Sequence, residues 1–454
     1  MSRSEGGFSD GSLDLGDCAD KHGTMKIMRR FSYLAMLGLT VSLPLVATSI
    51  ASPAIAQSSA AAGVEEFYRA RGNAPLWFAD QSGLAARQLL QLLTTAQVEG
   101  LNPRRYNTRG LSRAIEAAAR NPAERPRAER MLSEAFVSYV RDSIRDPKIG
   151  IIYVDRQLVP TPPPPRQILA SAAAAPSLSD YVARLGWMNP VYGKLRQALA
   201  ARMYRTPQEA RLLALNLERA RALPAGGHRF IIVNAAAQRL YMYEDGQVVD
   251  SMRVVAGKPE TQTPMMNALI RYVALNPYWN VPPETASHNL APKILKEGRS
   301  YFTNRGYDVF DGWGDSARKI DPMSINWQAV AAGNLQVKMR QRPGPANSMG
   351  KMKFMFPNDQ GIWLHDTPVR EKIDDPARLQ SGGCVRLEDA ARLQRWIFGR
   401  TLKAKGSAPE QKVSVPGGMP IYLTYLTAVP SGTSIVYFDD FYGRDRAQQR
   451  RRGR

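Results

Sequence analysis

Cysteine and histidine are scarce in this chain of 454 residues, which contains two Cys and four His. A disulfide framework is therefore excluded, because such frameworks need several paired cysteines. The sequence also lacks the Cys-x-x-Cys and His-x-x-x-His spacings that are typical of zinc sites. Acidic residues are comparatively few: 40 Asp and Glu stand against 61 Lys and Arg, which gives a formal net charge of +21.

This basic excess would ordinarily point to nucleic acid as a partner. Here the Lys and Arg residues are spread along the chain and are not interleaved with aromatic residues. We therefore expect no nucleic-acid partner and favour acidic envelope polymers or anionic lipid surfaces.

The N-terminal region has the layout of a cleaved secretory signal peptide. The basic residues Lys26, Arg29 and Arg30 come first, and an apolar run follows over residues 31–46. The small-x-small tripeptide Ala54-Ile55-Ala56 then supplies a cleavage site. A membrane anchor is the alternative, but Pro44 and several Ser and Thr residues interrupt the run. We expect a periplasmic protein with no stable membrane span after cleavage. The residues before Met25 fit no part of this signal, so Met25 or Met28 is an alternative start.

Signal cleavage would remove Cys18 and leave Cys384 as a lone thiol in an oxidising compartment, where it is a liability unless its reactivity is used. His365 ends a short apolar run upstream, and two glycines directly precede Cys384. An imidazole can take the proton of a thiol nucleophile, and glycines allow the tight turn that exposes N–H groups to an oxyanion. This pattern favours a catalytic thiol over a buried core cysteine.

The stretch resembles the signature of the L,D-transpeptidases of bacterial cell walls. It reads His365-Asp366-Thr367-Pro368 and then Ser381-Gly382-Gly383-Cys384-Val385-Arg386, and residues 342–350 and 353–358 are similar to the segments that precede it in the large periplasmic members. One position departs from the pattern, because many members carry a second His where this chain has Gly382.

The resemblance implies a cysteine acyltransferase that crosslinks peptidoglycan stem peptides. Cys384 would attack the carbonyl of the third stem residue and His365 would move the protons. The N–H groups of Gly383 and Cys384 would form the oxyanion hole, and Arg386 and Ser381 would contact the substrate. No metal or organic cofactor is implied, and carbapenems are the implied covalent inhibitors.

Several alternatives remain open at this point. Arg386 could instead hold the Cys384 loop through a salt bridge, and Ser381 and Thr367 could be loop hydrogen-bonding residues. The ring of His365 needs an orienting partner, which in the family is often a backbone carbonyl. The rival functions are a sortase-like protein-to-wall transpeptidase, an L,D-carboxypeptidase, zinc binding and a non-catalytic wall-binding protein.

The chain is expected to be an α+β protein, with an α-helical scaffold domain before a mainly β catalytic domain of the L,D-transpeptidase β-sandwich type. Apolar residues in 128–144 recur with helical spacing, and from Phe230 the period changes to that of strands. The expected parts are the extension and signal peptide (1–56), the scaffold (63–222), the catalytic domain (228–427), and a C-terminal strand with a basic tail (428–454). Residues 280–334 would form a lid or an insertion with its own small core, and residues 444–454 a disordered tail.

Export can be tested directly. N-terminal sequencing of the protein recovered from the periplasm is expected to begin near Gln57, because the signal peptidase would cut after Ala56. An intact N-terminus on protein that stays in the cytoplasm would contradict both the export and the argument from the lone thiol.

Overall fold

The computed structural model describes residues 60–452 except Gln81 and Asp315. The signal peptide expected in residues 1–56 therefore lies outside the described residues. In the described ranges, no helix combines the length and the apolar character needed to cross a membrane.

The N-terminal part of the described chain is helical, as the apolar spacing predicted. The helices are α1 (Ala60–Ala70), α2 (Leu84–Thr94), α3 (Thr108–Arg120), α4 (Arg125–Ser143), α5 (Pro165–Ala173), α6 (Leu178–Ala183), α7 (Pro190–Ala200) and α8 (Pro207–Ala220), with a short strand β1 (Ile152–Tyr153) between α4 and α5. Helix α4 buries one apolar stripe that includes Leu132, Phe136 and Tyr139. Proline residues at the start of α5, α7 and α8 fit the first helical turn, where no backbone N–H donor is needed.

The chain then changes to strands. The first four are β2 (Arg229–Asn234), β3 (Arg239–Glu244), β4 (Gln247–Gly257) and β5 (Met266–Leu275). An insertion follows, with β6 (Trp279–Asn280), α9 (Pro283–Thr285), α10 (Ala291–Glu297), α11 (Arg299–Arg305), β7 (Tyr307–Phe310), β8 (Lys319–Ile320), α12 (Trp327–Ala331) and β9 (Lys338–Gln341). The remaining elements are β10 (Met352–Met355), β11 (Leu364–His365), α13 (Glu371–Asp374), β12 (Leu379–Ser381), β13 (Val385–Leu387), α14 (Ala390–Phe398), β14 (Gln411–Thr424), β15 (Ala428–Ser431), β16 (Ser434–Tyr437) and α15 (Arg444–Arg452).

The main sheet closes on itself. Its strand order is β1-β5-β10-β11-β13-β4-β3-β2-β14, and β14 also pairs with β5. The expected sandwich is thus one continuous sheet, whose inward-facing side chains, among them Ile231, Phe354 and Leu364, form the catalytic-domain core together with α14. The expectation of a helical scaffold followed by a mainly β domain is confirmed.

The insertion has a core of its own. Strands β6, β9, β7 and β8 form a separate four-stranded sheet, and Trp327, Met339 and Phe302 belong to its apolar cluster. Its two ends are tied together by Asn347, whose Nδ2 donates to the carbonyl of Pro277 at 3.0 Å. The alternative of an insertion with its own small core is therefore the one that the structure supports.

The tail expected to be disordered is wrong in its first part. Residues 444–452 form helix α15, and its first turn is fixed by a buried ion pair in which Arg219 Nη1 of α8 lies 2.6 Å from Asp445 Oδ1. Composition alone could not show this contact, because the partner of Asp445 lies more than two hundred residues earlier in the chain.

Candidate active site

Strand pairing brings His365 and Cys384 together. Strand β11 runs parallel to β13, with Leu364 opposite Val385 and His365 opposite Arg386. Continuing this register by one residue sets Cys384 opposite Trp363, and the Val385 N–H donates to the Trp363 carbonyl at 3.0 Å. Since side chains alternate along a strand, Trp363 and His365 point to the same face, so His365 lies diagonally next to Cys384. Diagonal neighbours of this kind are within reach of long side chains.

His365 lies between two cations on this face. It pairs across the sheet with Lys353 of β10 on one side and with Arg386 on the other. Burial and, after it, the charges of Arg386 and Lys353 lower the pKa of His365 to about 3, while the hydrogen bond to the Asp366 carbonyl acts in the opposite direction. The imidazole is therefore neutral at physiological pH.

One backbone contact selects the tautomer of this neutral ring. His365 Nδ1 lies 2.6 Å from the carbonyl oxygen of Asp366, which can only accept a hydrogen bond. Nδ1 therefore carries the proton, and Nε2 is free to accept one. The carboxylate of Asp366 points elsewhere and accepts from the Lys351 N–H at 2.9 Å and from Arg370 Nη2 at 3.1 Å.

The thiol is also neutral at rest. Cys384 is partly exposed, but its sulfur is desolvated enough that burial raises the thiol pKa to about 11, against the lowering effects of the Trp363 backbone and the Arg386 charge. Its Sγ lies 3.5 Å from the carbonyl oxygen of Gly361. The resting site is therefore a thiol beside a neutral imidazole, not the thiolate–imidazolium pair that is one form of an activated cysteine.

The loop before Cys384 is held by its own hydroxyl. Ser381 Oγ accepts from the Gly383 N–H at 3.1 Å and donates to the Cys384 carbonyl. Gly383 has a φ of +112°, and a Cβ there would lie 2.9 Å from Ile362 Cδ1. The positive φ favours glycine at this position, and a side chain there would also displace the end of Ile362. Ser381 is observed in the loop role, and the Gly383 N–H, expected at the oxyanion hole, is engaged inside the loop.

Arg386 has an unpartnered nitrogen on the same face as Cys384. Its Nε is buried without a hydrogen-bond partner, and it forms no ion pair with any residue in the described part of the chain. Burial lowers the pKa of its guanidinium, and the thiolate form of Cys384 is the one charge that opposes this shift. The salt bridge considered as an alternative role for Arg386 is not observed.

Sequence reasoning missed two threonines that hold the Cys384 loop. Thr263 Oγ1 donates to the Gly383 carbonyl at 2.8 Å, and Thr261 Oγ1 donates to the Ser381 carbonyl at 3.0 Å. Both lie in the turn after β4, more than a hundred residues before the signature. No spacing rule in the sequence connects them to it.

The surroundings of the site include a cleft of about 850 Å³ next to Asp366 and Thr367, lined also by Gly344 and Lys403. Among the described residues, no group of three or more His, Cys, Asp or Glu side chains could hold a metal ion. His228 and His288 are exposed and far from the pairings described above, as expected for ordinary surface histidines.

Comparison with known families agrees with this geometry. Residues 228–415 match the L,D-transpeptidase catalytic domain, and residues 62–199 match the scaffold domain. The chain therefore carries an L,D-transpeptidase catalytic domain and a scaffold domain, which confirms the family that the signature indicated.

Individual relatives are more distant. A Haemophilus influenzae protein, provisionally named an L,D-transpeptidase, is 28% identical over 394 residues, which span 84% of this chain and 77% of that protein. Among solved structures, an L,D-transpeptidase from Mycobacterium smegmatis shares 16% identity over 43% of this chain and 58% of its own, with a TM-score of 0.23. An Enterococcus faecium L,D-transpeptidase mutant shares 13% identity over 44% of this chain and 52% of its own, with a TM-score of 0.21. The chain thus spans a little more than half the length of these solved structures.

The buried neutral histidine predicts an acid-sensitive contribution to stability. Below pH 6.5 the unfolded chain protonates His365, whereas the folded protein does not until about pH 3, so the free energy of unfolding falls with falling pH. Between pH 7 and pH 5 this one group contributes a loss of up to about 2 kcal/mol. Urea unfolding at pH 7 and pH 5 measures the free energy of unfolding of the wild type and of His365→Gln, and the wild type should lose more of it on acidification. Exposed His228→Gln is the matched control, and an equal pH dependence in the wild type and His365→Gln would contradict the assignment.

Proposed function

We propose that this protein is an L,D-transpeptidase that joins the stem peptides of peptidoglycan through a thioester on Cys384. The observation that carries the proposal is the parallel pairing of β11 with β13, whose register makes His365, neutral and able to accept a proton at Nε2, a diagonal neighbour of Cys384. A nucleophile, a base, and a group that orients the base are the parts that acyl transfer by a cysteine needs. The export signal expected in the sequence supports the periplasm as the compartment of this reaction.

Acylation begins as the Cys384 sulfur attacks the carbonyl carbon of the third stem residue. The thiol proton passes to His365 Nε2 during the attack, because neither neutral group is ionised beforehand. The C–N bond to the terminal D-alanine then breaks, and the imidazolium returns the proton to the leaving amine. The product is a thioester between Cys384 and the donor stem.

Deacylation reverses the roles. The amine of a second stem peptide gives a proton to His365 Nε2 and attacks the thioester carbonyl carbon. The C–S bond breaks, and the sulfur of Cys384 recovers the proton from the imidazolium. The new amide links the third residues of two stem peptides.

The oxyanion of each tetrahedral intermediate needs donors that are fixed in advance. The Gly383 N–H is occupied by Ser381 Oγ, so the Cys384 N–H is the better candidate from this loop. Loss of one such donor typically costs about 2.7–4 kcal/mol of transition-state stabilisation. The charges of Arg386 and Lys353 on the same face add an electrostatic contribution of the same sign.

Arg386 supports a stem peptide as the substrate. Its guanidinium has no acidic partner in the described residues, and a stem carboxylate could bind it through two parallel hydrogen bonds. Lys353 is less available for this role, since its Nζ lies 2.8 Å from Glu410 Oε1. Arg386 is therefore the residue proposed for substrate binding.

The two catalytic residues should differ in what their loss removes. Cys384→Ala is expected to abolish both thioester formation and crosslinking, whereas His365→Ala should lower turnover by roughly 100- to 10,000-fold. Alkylation of the thiol by iodoacetamide at neutral pH should also slow in His365→Ala, because a thiol with a raised pKa depends on a base.

Muropeptide mass analysis measures turnover and identifies the acyl acceptor in the same samples. Crosslinked dimers support the proposal. Trimmed stems alone would indicate an L,D-carboxypeptidase, and stems joined to protein a sortase-like enzyme. Exposed His288→Ala is the control for alkylation, and equal rates in the wild type and His365→Ala would show that the two residues do not communicate.

A carbapenem should acylate the same sulfur. Its strained ring carbonyl can be attacked by a thiol next to a base and an oxyanion hole, and the family resemblance points to this class of β-lactam. We expect one covalent adduct per protein chain, located on the peptide that contains Cys384. Intact-mass spectrometry measures it, with Cys384→Ala as the control for labelling of lysines. Folded wild-type protein without an adduct would favour a sortase-like enzyme or a wall-binding protein.

A further inference from the structure

The C-terminal segment contacts the turn that supports the Cys384 loop. This segment lies beyond residue 415, where the match to the catalytic domain ends. Tyr442 Oη donates to the carbonyl of Gly257 at 2.8 Å, and Gln262 Nε2 donates to the carbonyl of Tyr442 at 3.1 Å. Tyr442 is buried, so these hydrogen bonds are shielded from water.

Arg444 holds the same turn from the other side. Its Nε donates to Gln262 Oε1 at 2.9 Å, and its Nη2 donates to the carbonyl of Thr263 at 2.9 Å. The guanidinium carbon lies 4.9 Å from the ring centre of Tyr442 and 5.1 Å from that of Tyr425, while the two rings stack at 5.0 Å. The aromatic pair thus fixes the guanidinium plane that binds the turn.

The turn in question, residues 257–263, passes this constraint to the nucleophile. Thr263 Oγ1 accepts from the Gly257 N–H at 2.9 Å and donates to the Gly383 carbonyl. Thr261 and the Lys258 N–H both donate to the Ser381 carbonyl at 3.0 Å. Two carbonyls of the Cys384 loop therefore depend on a turn whose outer side is held by Tyr442 and Arg444.

We propose that Tyr442 and Arg444 are positioning residues for the oxyanion hole of this protein. They touch neither the thiol nor His365. They act through the 257–263 turn, which holds the carbonyls of Ser381 and Gly383. The peptide plane of the Gly383 carbonyl also carries the Cys384 N–H. Stabilisation of an oxyanion depends on the position of the donating N–H group to within a fraction of an ångström. A small relaxation of the loop therefore lowers the acylation rate. The inference rests on the proposed function of Cys384.

The segment is itself anchored to helix α8. Arg219 of α8 donates to the Tyr425 carbonyl at 2.9 Å and pairs with Asp445, the residue next to Arg444. Tyr425 Oη accepts from the Tyr442 N–H at 2.9 Å. Helix α8 therefore fixes the position of the residues that hold the turn.

Four substitutions in the full-length protein separate positioning from folding. Tyr442→Phe removes only the hydroxyl that binds the Gly257 carbonyl, and Arg444→Ala removes the guanidinium. Arg446→Ala is the matched control, because Arg446 is exposed two residues further on and its loss changes the net charge equally. Arg444→Lys keeps the charge without the two fixed donors.

Two rates are measured for each variant at a temperature where it is folded. Acylation by a carbapenem needs the oxyanion hole, whereas alkylation by iodoacetamide needs only a reachable, deprotonated sulfur. We expect Tyr442→Phe and Arg444→Ala to slow acylation roughly 10- to 100-fold while alkylation stays within about twofold. Arg444→Lys should be intermediate, and Arg446→Ala should equal the wild type.

The outcomes are distinct. Acylation at the wild-type rate in Tyr442→Phe and Arg444→Ala would overturn the proposal, even if their melting temperatures fall. An equal slowing of acylation and alkylation would also overturn it, since that would reflect a general loss of loop structure. Failure of the wild type itself to acylate would instead contradict the proposed function of Cys384.

Discussion

The pairing of β11 with β13 is the constraint on which the site depends. Parallel neighbours cannot be joined by a tight turn, so the chain between His365 and Cys384 has to leave the sheet and return. It does so through α13 and β12, and β12 pairs with β4 on its way back. The nucleophile therefore arrives at the sheet from a loop that is already fixed at Leu379 and Ser381. A one-residue slip in this register would turn His365 to the other face.

The electrostatics of the site follow from the same pairing. The cross-strand row of Lys353, His365 and Arg386 places two cations beside one imidazole, so a third positive charge there is opposed both by desolvation and by repulsion. Desolvation is the larger cause for both His365 and Cys384, and it keeps each of them neutral. The charge of Arg386 favours negative charge on the sulfur, whereas Lys353 is paired with Glu410.

The local signature pointed to Cys384, His365 and Arg386 because all three lie within one short stretch, and their roles as nucleophile, base and binding residue stay predictions. The period change near Phe230 likewise separated helical scaffold from β domain. The partners of that stretch could not be predicted. Thr263 contacts the Cys384 loop and Tyr442 contacts the turn that holds this loop, and the fold alone brings these distant parts of the chain together. The prediction of a disordered tail was wrong from Arg444 onward for the same reason. A run of arginines in a sequence predicts a solvated segment, and only the structure shows that Arg444 packs on the stacked rings of Tyr425 and Tyr442.

The scaffold contributes directly to the catalytic sheet. Strand β1 leaves the helical domain and pairs with Met266 and Asn267 at the start of β5, and Asp155 accepts from the Leu269 N–H at 2.7 Å. The apolar cluster of the scaffold also includes Tyr422 of β14, the strand that closes the sheet. Separation of the two domains would therefore expose backbone groups at the start of β5 and apolar side chains on one face of β14. Both exposures cost free energy, so the two domains are not independent of each other. Helix α8 adds a polar connection to the C-terminal segment. The helical part of the chain thus contacts the catalytic sheet at β5 and at β14, and through α8 it supports the C-terminal residues that hold the turn behind the Cys384 loop. It therefore helps to fix the geometry of the candidate site.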